Sequence, residues 1–275
     1  MLEKWLRNEQ QRAHSDVLQV REVIADTTAE GADLDAWLAH ELMRNYFAPA
    51  NRAVLVETLK GLDLPNLAEW VLAKKLPSKD MVRIGEFGEA LVGAVLRKLR
   101  RYTLPILKLR YKHTPNDPVK GADLLAFRLS IKPPVIAVPE VKTRTLRKRP
   151  DYDVGKEAHD SLASALRTLD SSIEFVGARL IDQGNLALAT RVLALLTEMP
   201  KQIERHVFVL HEDSQWTDRV VERLDAVVTD NTDFTVVRMQ KLKERIATTY
   251  EAAAHALYPN SRNESSTPTS EDLDA

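Results

Sequence analysis

Apolar positions along the chain follow two rhythms. Leu2, Trp5 and Leu6, then Leu34, Trp37, Leu38 and Leu42, then Val54, Leu55 and Leu59 recur at three- and four-residue spacing. That spacing lines one face of a helix. Pro49, then Gly61 and Pro65, interrupt it. Residues 1 to about 76 are therefore expected to be helices only, with Leu76-Pro77-Ser78-Lys79 as a junction and Ser78 as a candidate N-cap. A stronger stripe, Ile84, Phe87, Leu91, Val95 and Leu99, predicts a helix over 84–99.

Beyond Leu99 the rhythm shortens. Ile106–Tyr111 alternates, Ala122–Leu129 is mostly apolar and Val135–Val141 is β-branched, which predicts three consecutive strands. Asn116-Asp117-Pro118 and Lys132-Pro133-Pro134 are their turns. A basic loop closed by Pro150 leads into a helix over about Lys156–Leu169. Ile173–Ile181 and Leu186–Leu196 read as a helical hairpin turned at Gly184-Asn185. After it come strand His206–Leu210, helix Trp216–Val227, strand Phe234–Met239 and helix Leu242–Leu257. Tyr258–Ala275 is rich in Ser, Thr, Pro, Asn and acid, and is expected to be disordered. The division implied is a helical region 1–77, an α/β domain 78–257 with a helical hairpin insertion near 171–198, and a tail 258–275.

Composition narrows the class. The chain has 275 residues, 44% of them apolar and 29% charged, and no cysteine. That excludes disulfides, thiolate metal sites and a cysteine nucleophile. No run of 18 apolar residues offers a membrane span, and the charged start Met1–Arg12 is unlike a secretory signal, so a cytoplasmic protein is expected. Net charge is −1 but unevenly spread. From Ala94 to Arg149 the balance is +12, leaving −13 for the rest, a local excess able to attract a polyanion. Lys108, Arg110, Lys112, Arg144, Arg147, Lys148 and Arg149 are the candidate phosphate contacts.

The chemistry lies between the strands. Glu140 and Lys142 are two apart on one strand and share a face. Asp123, at the start of the preceding strand, is placed to join them. Two carboxylates side by side repel unless a cation sits between them. An all-oxygen donor set favours Mg²⁺ or Mn²⁺, which would acidify a water and polarise a phosphodiester. Lys142 would orient that water and offset charge on the phosphate. In the preceding helix, Glu89 flanks the apolar stripe and is the first choice for an accessory acid. Glu86, almost opposite the stripe, is expected to face water and is the second. Pro139 removes a ladder hydrogen bond and predicts a bulge before Glu140. A bare Glu-x-Lys also arises as a solvent-facing ion pair, and Asp123 after Gly121 as a turn cap. The ordered set carries the assignment.

Other motifs fall away. His40-Glu41 begins a zinc-protease string, but Arg44 stands where the second histidine belongs. His206 and His211 are poor metal partners. Trp5, Trp37 and Trp70 are read as core residues. There is no Gly-x-x-x-x-Gly-Lys-Ser/Thr loop, so any nucleotide-driven work belongs to another protein.

Gly85-Glu86-Phe87-Gly88-Glu89, Leu107-Lys108-Leu109-Arg110-Tyr111, Asn116-x-Pro118-Val119-x-Gly121-Ala122-Asp123 and Glu140-x-Lys142 resemble the HamA family, the nuclease-type subunit of the Hachiman antiphage defence system, whose domain also occurs in AbpA. The likeness runs from about Arg83 to Met239. The fold expected is a restriction-endonuclease-like PD-(D/E)xK core, a mixed sheet flanked by helices, after the all-helical N-terminal region read from periodicity, which offers no motif to compare with the family. The likeness implies Mg²⁺- or Mn²⁺-dependent DNA cleavage, with Asp123, Glu140 and Lys142 as the catalytic carboxylates and lysine, and with Glu86 and Glu89 both fitting the helix acid. The implied partner is a HamB helicase that restrains the nuclease until DNA damage or invading DNA releases it. The competing readings are a stand-alone restriction or repair nuclease and a non-catalytic DNA-binding scaffold. The N-terminal helices are taken as a layer serving the partner or the control of cleavage; the simpler alternative is that they cover a sheet face.

Overall fold

The β-branched run from Val135 extends to Arg144 as strand β4, next to one edge of a six-stranded sheet. The computed structural model describes residues 1–62, 67, 71, 74–117, 121–146, 153–197 and 200–257. The strands are β1 (Asn8–Ala13), β2 (Leu18–Ile24), β3 (Ala126–Arg128), β4, β5 (Gln202–Glu212) and β6 (Thr232–Met239), arranged β1-β2-β6-β5-β4-β3. β2, β6, β5 and β4 run parallel, while β1 and β3 are antiparallel to their neighbours at the two edges.

Parallel strands bury both faces and need helices on each. On one face lie α2 (Ala32–Tyr46), α4 (Asp80–Lys98) and α9 (Leu242–Leu257), which bring Leu38, Leu42, Phe87, Leu91, Ile246 and Tyr250 against Ala137, Val141, Phe208 and Val237. On the other lie α5 (Val154–Arg167), α6 (Leu169–Asp182), α7 (Leu186–Leu193) and α8 (Arg219–Asp225), over Ile136, Val138, Val207, Val209 and Phe234. The short α1 (Leu2–Trp5) and α3 (Pro49–Gly61) complete the helices described. The mixed sheet flanked by helices is as expected, and so is the hairpin of α6 and α7, whose turn places Gly184 at φ +74°.

Four expectations are corrected. The segment 1–77 is not helical throughout: β1 and β2 belong to the same sheet as the later strands, and Leu18 to Ile24 pair with Thr232 to Arg238. Ile106–Tyr111 is not a strand, since Lys108–Tyr111 is a 3₁₀ turn, and the pairing there is the single bridge Thr103–Phe127. The strand read over Ala122–Leu129 shrinks to Ala126–Arg128, so Asp123 precedes it.

The fourth is Pro139, which makes no bulge: β4 pairs with β5 without interruption from Val135 to Arg144. The reason is the short β3, whose pairing with β4 ends at Ala137. Val141 N–H points to that side, and by the alternation of a strand so does the position of Pro139. The proline's missing donor falls where no ladder remains to need it.

The expected tail 258–275, Trp70, Pro65, Pro118, Val119 and Pro150 lie outside the described residues. Among those described, no helix is long and apolar enough to cross a membrane.

Candidate active site at the open edge of β4

Beyond Ala137 the edge of β4 is taken up by the chain before β3. The β3–β4 pairing stops at Ala126–Ala137, and Asp123 precedes it by three residues. Asp123 Oδ2 accepts the Val141 N–H at 3.0 Å, which replaces the lost ladder bond and fixes the carboxylate beside the strand. Gly121, two residues earlier, has φ +93°, a backbone state that favours glycine there.

Glu140 and Lys142 share the parity of Ile136 and Val138 and face α5. Lys142 Nζ donates to Glu140 Oε1 at 2.8 Å and to Ser161 Oγ at 3.1 Å, and lies 4.0 Å from Glu157 Oε1. Glu157 and Ser161 are one helical turn apart on α5, so a single helix face holds the ammonium in place. Glu140 is buried, at 6% exposure. Burial first, and the charge of Asp123 next, push its carboxyl up to about 7 against the pull of Lys142.

Glu89 reaches the site from α4, on the opposite face of β4. Its Oε2 is covered by protein and has no hydrogen-bond partner. Burial, followed by the charge of Asp123, raises its carboxyl to about 8. Asp123 is thus the acid common to both neighbours. α4 approaches this closely because of Gly88, where a Cβ would stand 2.1 Å from Thr143 Oγ1 and 3.2 Å from Val141 Cγ1. The Gly85–Glu89 motif is therefore also a packing motif.

Glu86 does not face water. It is 5% exposed, ion-paired with Lys112 and hydrogen-bonded by Tyr46 Oη, which lies 2.9 Å from Tyr250 Oη. Burial still raises its carboxyl above the ordinary range. The stripe argument failed because α2 and α9 cover the side of α4 turned away from the sheet.

The basic candidates divide. Lys112 is buried with Glu86 and also donates to Pro115 O, so it is not presented to a phosphate. Arg110 is turned inward, donating through Nε and Nη2 to Arg44 O at the end of α2. Arg144 binds Glu157 Oε2 at 2.7 Å and Thr143 O at 2.9 Å. Lys108 belongs to the acids: its Nζ donates to Ala122 O at 3.0 Å, lies 3.9 Å from Asp123 Oδ1, and draws down the carboxyls of Glu86, Glu89 and Glu140. Arg147, Lys148 and Arg149 lie outside the described residues.

Sequence reasoning missed the roles of Lys108, Glu157 and Ser161. The i, i+4 pair on α5 was a visible signal for the last two.

Among the described residues, no three His, Asp or Glu side chains already surround a common point as ligands of an ion would. The donor set nonetheless suits a hard cation. Asp123 and Glu140 offer two carboxylates, the number Mg²⁺ commonly takes from a protein while keeping waters and substrate oxygens. Glu89, whose Oε2 has no partner, feels the charges of both.

The pattern that defines the HamA family matches residues 1–253, well over half of the chain. The chain belongs to the HamA family. The match includes β1, β2 and α2, so the N-terminal segment is part of what defines a HamA protein and not an attachment to it. Membership places the chain among subunits of antiphage defence. No curated protein matches it.

Of the rejected motifs, Glu41 is buried in ion pairs with Arg97 at 2.7 Å and Lys98 at 3.1 Å. His206 lies between Glu204 and Asp233, and His211 Nδ1 bonds Glu212 O.

Proposed function

We propose that this HamA-family chain is a divalent-metal-dependent nuclease with a PD-(D/E)xK site, hydrolysing DNA phosphodiesters as the effector subunit of a defence complex with a helicase partner. The observation that carries the reading is Asp123 fixed on β4 by the Val141 N–H, with Lys142 against Glu140 on that strand and Glu89, which has an unpartnered oxygen, feeling the charges of both acids. Acids whose protons are held by burial first and by one another's charge next are poised for a cation.

Asp123 and Glu140, with Glu89 as accessory acid, would hold Mg²⁺ or Mn²⁺, which when bound supplies Lewis-acid polarisation of a phosphate oxygen and a more acidic water. Lys142 orients the attacking water and offsets charge on the phosphate oxygens. Ser161 and Glu157 keep its ammonium in register. Lys108 holds the Gly121–Ala122 backbone and limits repulsion among the acids.

The test is purified protein with Mg²⁺ or Mn²⁺ on plasmid DNA, alone and with a HamB-type helicase from the same host. Cutting only with the helicase supports the effector reading. Cutting by the protein alone would make it a stand-alone nuclease, and DNA binding without cutting under either condition would make it a scaffold.

A further inference from the structure

A cavity of about 300 Å³ opens beside the acids. Asp123 and Lys108 form one wall, and Ser171, Ser172 and Phe175 of α6 form the other. The floor is apolar, since Ile106, Leu125 and Val176 are buried side chains of the α5–α8 core. Phe175 is half-buried and braced edge-on by Tyr111, with ring centroids 5.6 Å apart. Hydrolysis as set out above uses Asp123 and Lys108 but nothing on the α6 side.

We propose that this cavity holds one unpaired nucleobase next to the scissile phosphate, so that the substrate is single-stranded or locally unpaired nucleic acid. This rests on the nuclease reading and deepens it. A base has flat apolar faces and a polar edge. The floor and the Phe175 ring suit the faces, because aromatic stacking serves any base. The hydroxyls suit the edge: Ser171 can donate or accept as the base requires, and Ser172 Oγ, whose proton goes to Thr168 O at 3.2 Å, can accept from it. The wall shared with Asp123 puts the base within a nucleotide of the reacting phosphate. It also favours a nucleotide over an apolar side chain of a protein, which brings no phosphate to that wall. A base inside a duplex has both faces stacked and its edge paired, and must leave the helix to enter.

The test uses full-length protein carrying Glu140→Gln, so that bound DNA is not cut, and an oligonucleotide containing the fluorescent base 2-aminopurine. Binding of the single strand should raise the fluorescence, because the base leaves its neighbours, and the matched duplex should give no such rise. Adding Ser172→Trp, which fills the cavity from its rim, should abolish the rise and weaken single-strand binding about tenfold, within the range for losing one stacked base. Unchanged single-strand affinity and fluorescence in folded Ser172→Trp would overturn the proposal, as would an equal rise with duplex. If Ser172→Trp does not fold, Phe175→Leu replaces it, and unchanged binding there has the same force. Cleavage by the wild-type protein, alone and with its helicase partner, is scored separately. A base-dependent signal without cleavage removes the nuclease reading and keeps the pocket, and cleavage without the signal does the reverse.

Discussion

The Val141 N–H donates to Asp123 Oδ2 across 3.0 Å, although the two residues are 18 apart in sequence. Asp123 therefore completes the edge of β4 as well as supplying a carboxylate. The two roles separate by substitution. Asp123→Asn keeps an acceptor for Val141 and should unfold in urea near the wild-type midpoint. Asp123→Ala should lose about 1 kcal/mol, the worth of one such hydrogen bond. Both should lose cleavage by on the order of a hundredfold or more, because the metal contribution they remove is worth several kcal/mol. Equal stability of the two variants would show that the hydrogen bond does not matter.

Lys142→Ala should reduce metal-dependent cleavage by about a hundredfold to a thousandfold, the usual cost of one group aimed at developing charge. It also leaves Glu140 buried without its cation. The Glu140 carboxyl, already raised to about 7, should move higher, and NMR titration of the labelled side chain would read this. Retained cleavage in a folded Lys142→Ala protein would remove the lysine from the mechanism.

Stability should fall as pH rises from about 5 to 8 in the absence of divalent ions. Glu140 and Glu89 have folded-state values of about 7 and about 8 against an ordinary 4.5. The folded protein therefore holds more protons than the unfolded chain across that window. The stabilisation is complete below 4.5 and is lost as each group passes its folded value. Mg²⁺ should reverse the loss at pH 8 and be nearly without effect at pH 5, because its binding must displace those protons. Thermal unfolding at the two pH values, with and without Mg²⁺, measures both effects.

Gly88→Ala should destabilise the protein by roughly 1–3 kcal/mol, the range for overpacking a filled site. The new methyl meets Thr143 Oγ1 at 2.1 Å. Thr143→Ala removes that oxygen, so the double variant should recover much of the loss, a coupling expected only between touching residues. A purely additive result in urea unfolding would show that α4 shifts instead.

A chain starting at Ser78 should aggregate. It lacks β1 and β2, which uncovers the edge of β6, and it lacks α2, which packs against α4 and α9. A soluble, monomeric fragment in size-exclusion chromatography would contradict this and would restore the view of the N-terminal layer as a purely regulatory addition.

The sequence showed the long apolar stripes and the β-branched runs. α4, the α6–α7 hairpin, β4, β6 and α9 were legible because each presents a continuous pattern to the core. β1 was not, because Asn8–Ala13 reads NEQQRA and contains no β-branched residue. An edge strand can be polar throughout, so periodicity is silent on it. Its partner β2 has Leu18 and Val20 toward one core and Val23 toward the other, which blurs the alternation. Ile106–Tyr111 misled in the opposite direction. Ile106 and Leu107 serve opposite faces, and a 3₁₀ turn follows.

At the site, i, i+2 spacing put Glu140 and Lys142 on one face, and chain order brought Asp123 to them. The burial of Glu86 and Lys112 was hidden because it depends on α2 and α9, which are remote in sequence from α4. One stripe reports one packed face, and α4 has two.

Leu18 is paired with Thr232, and Tyr46 touches Tyr250. The two ends of the described chain are thus neighbours in space, joined through the last strand and the last helix. During synthesis β1 and β2 emerge first and can pair with each other, but the other edge of β2 has no partner until β6 has left the ribosome. Folding dominated by such distant contacts is slow and late. For a protein whose proposed activity would be harmful to its own cell, this order of assembly has a protective result. The layer that packs Glu86 and steadies α4 closes only once α9 has been made, so a chain terminated before it lacks the support its acids need.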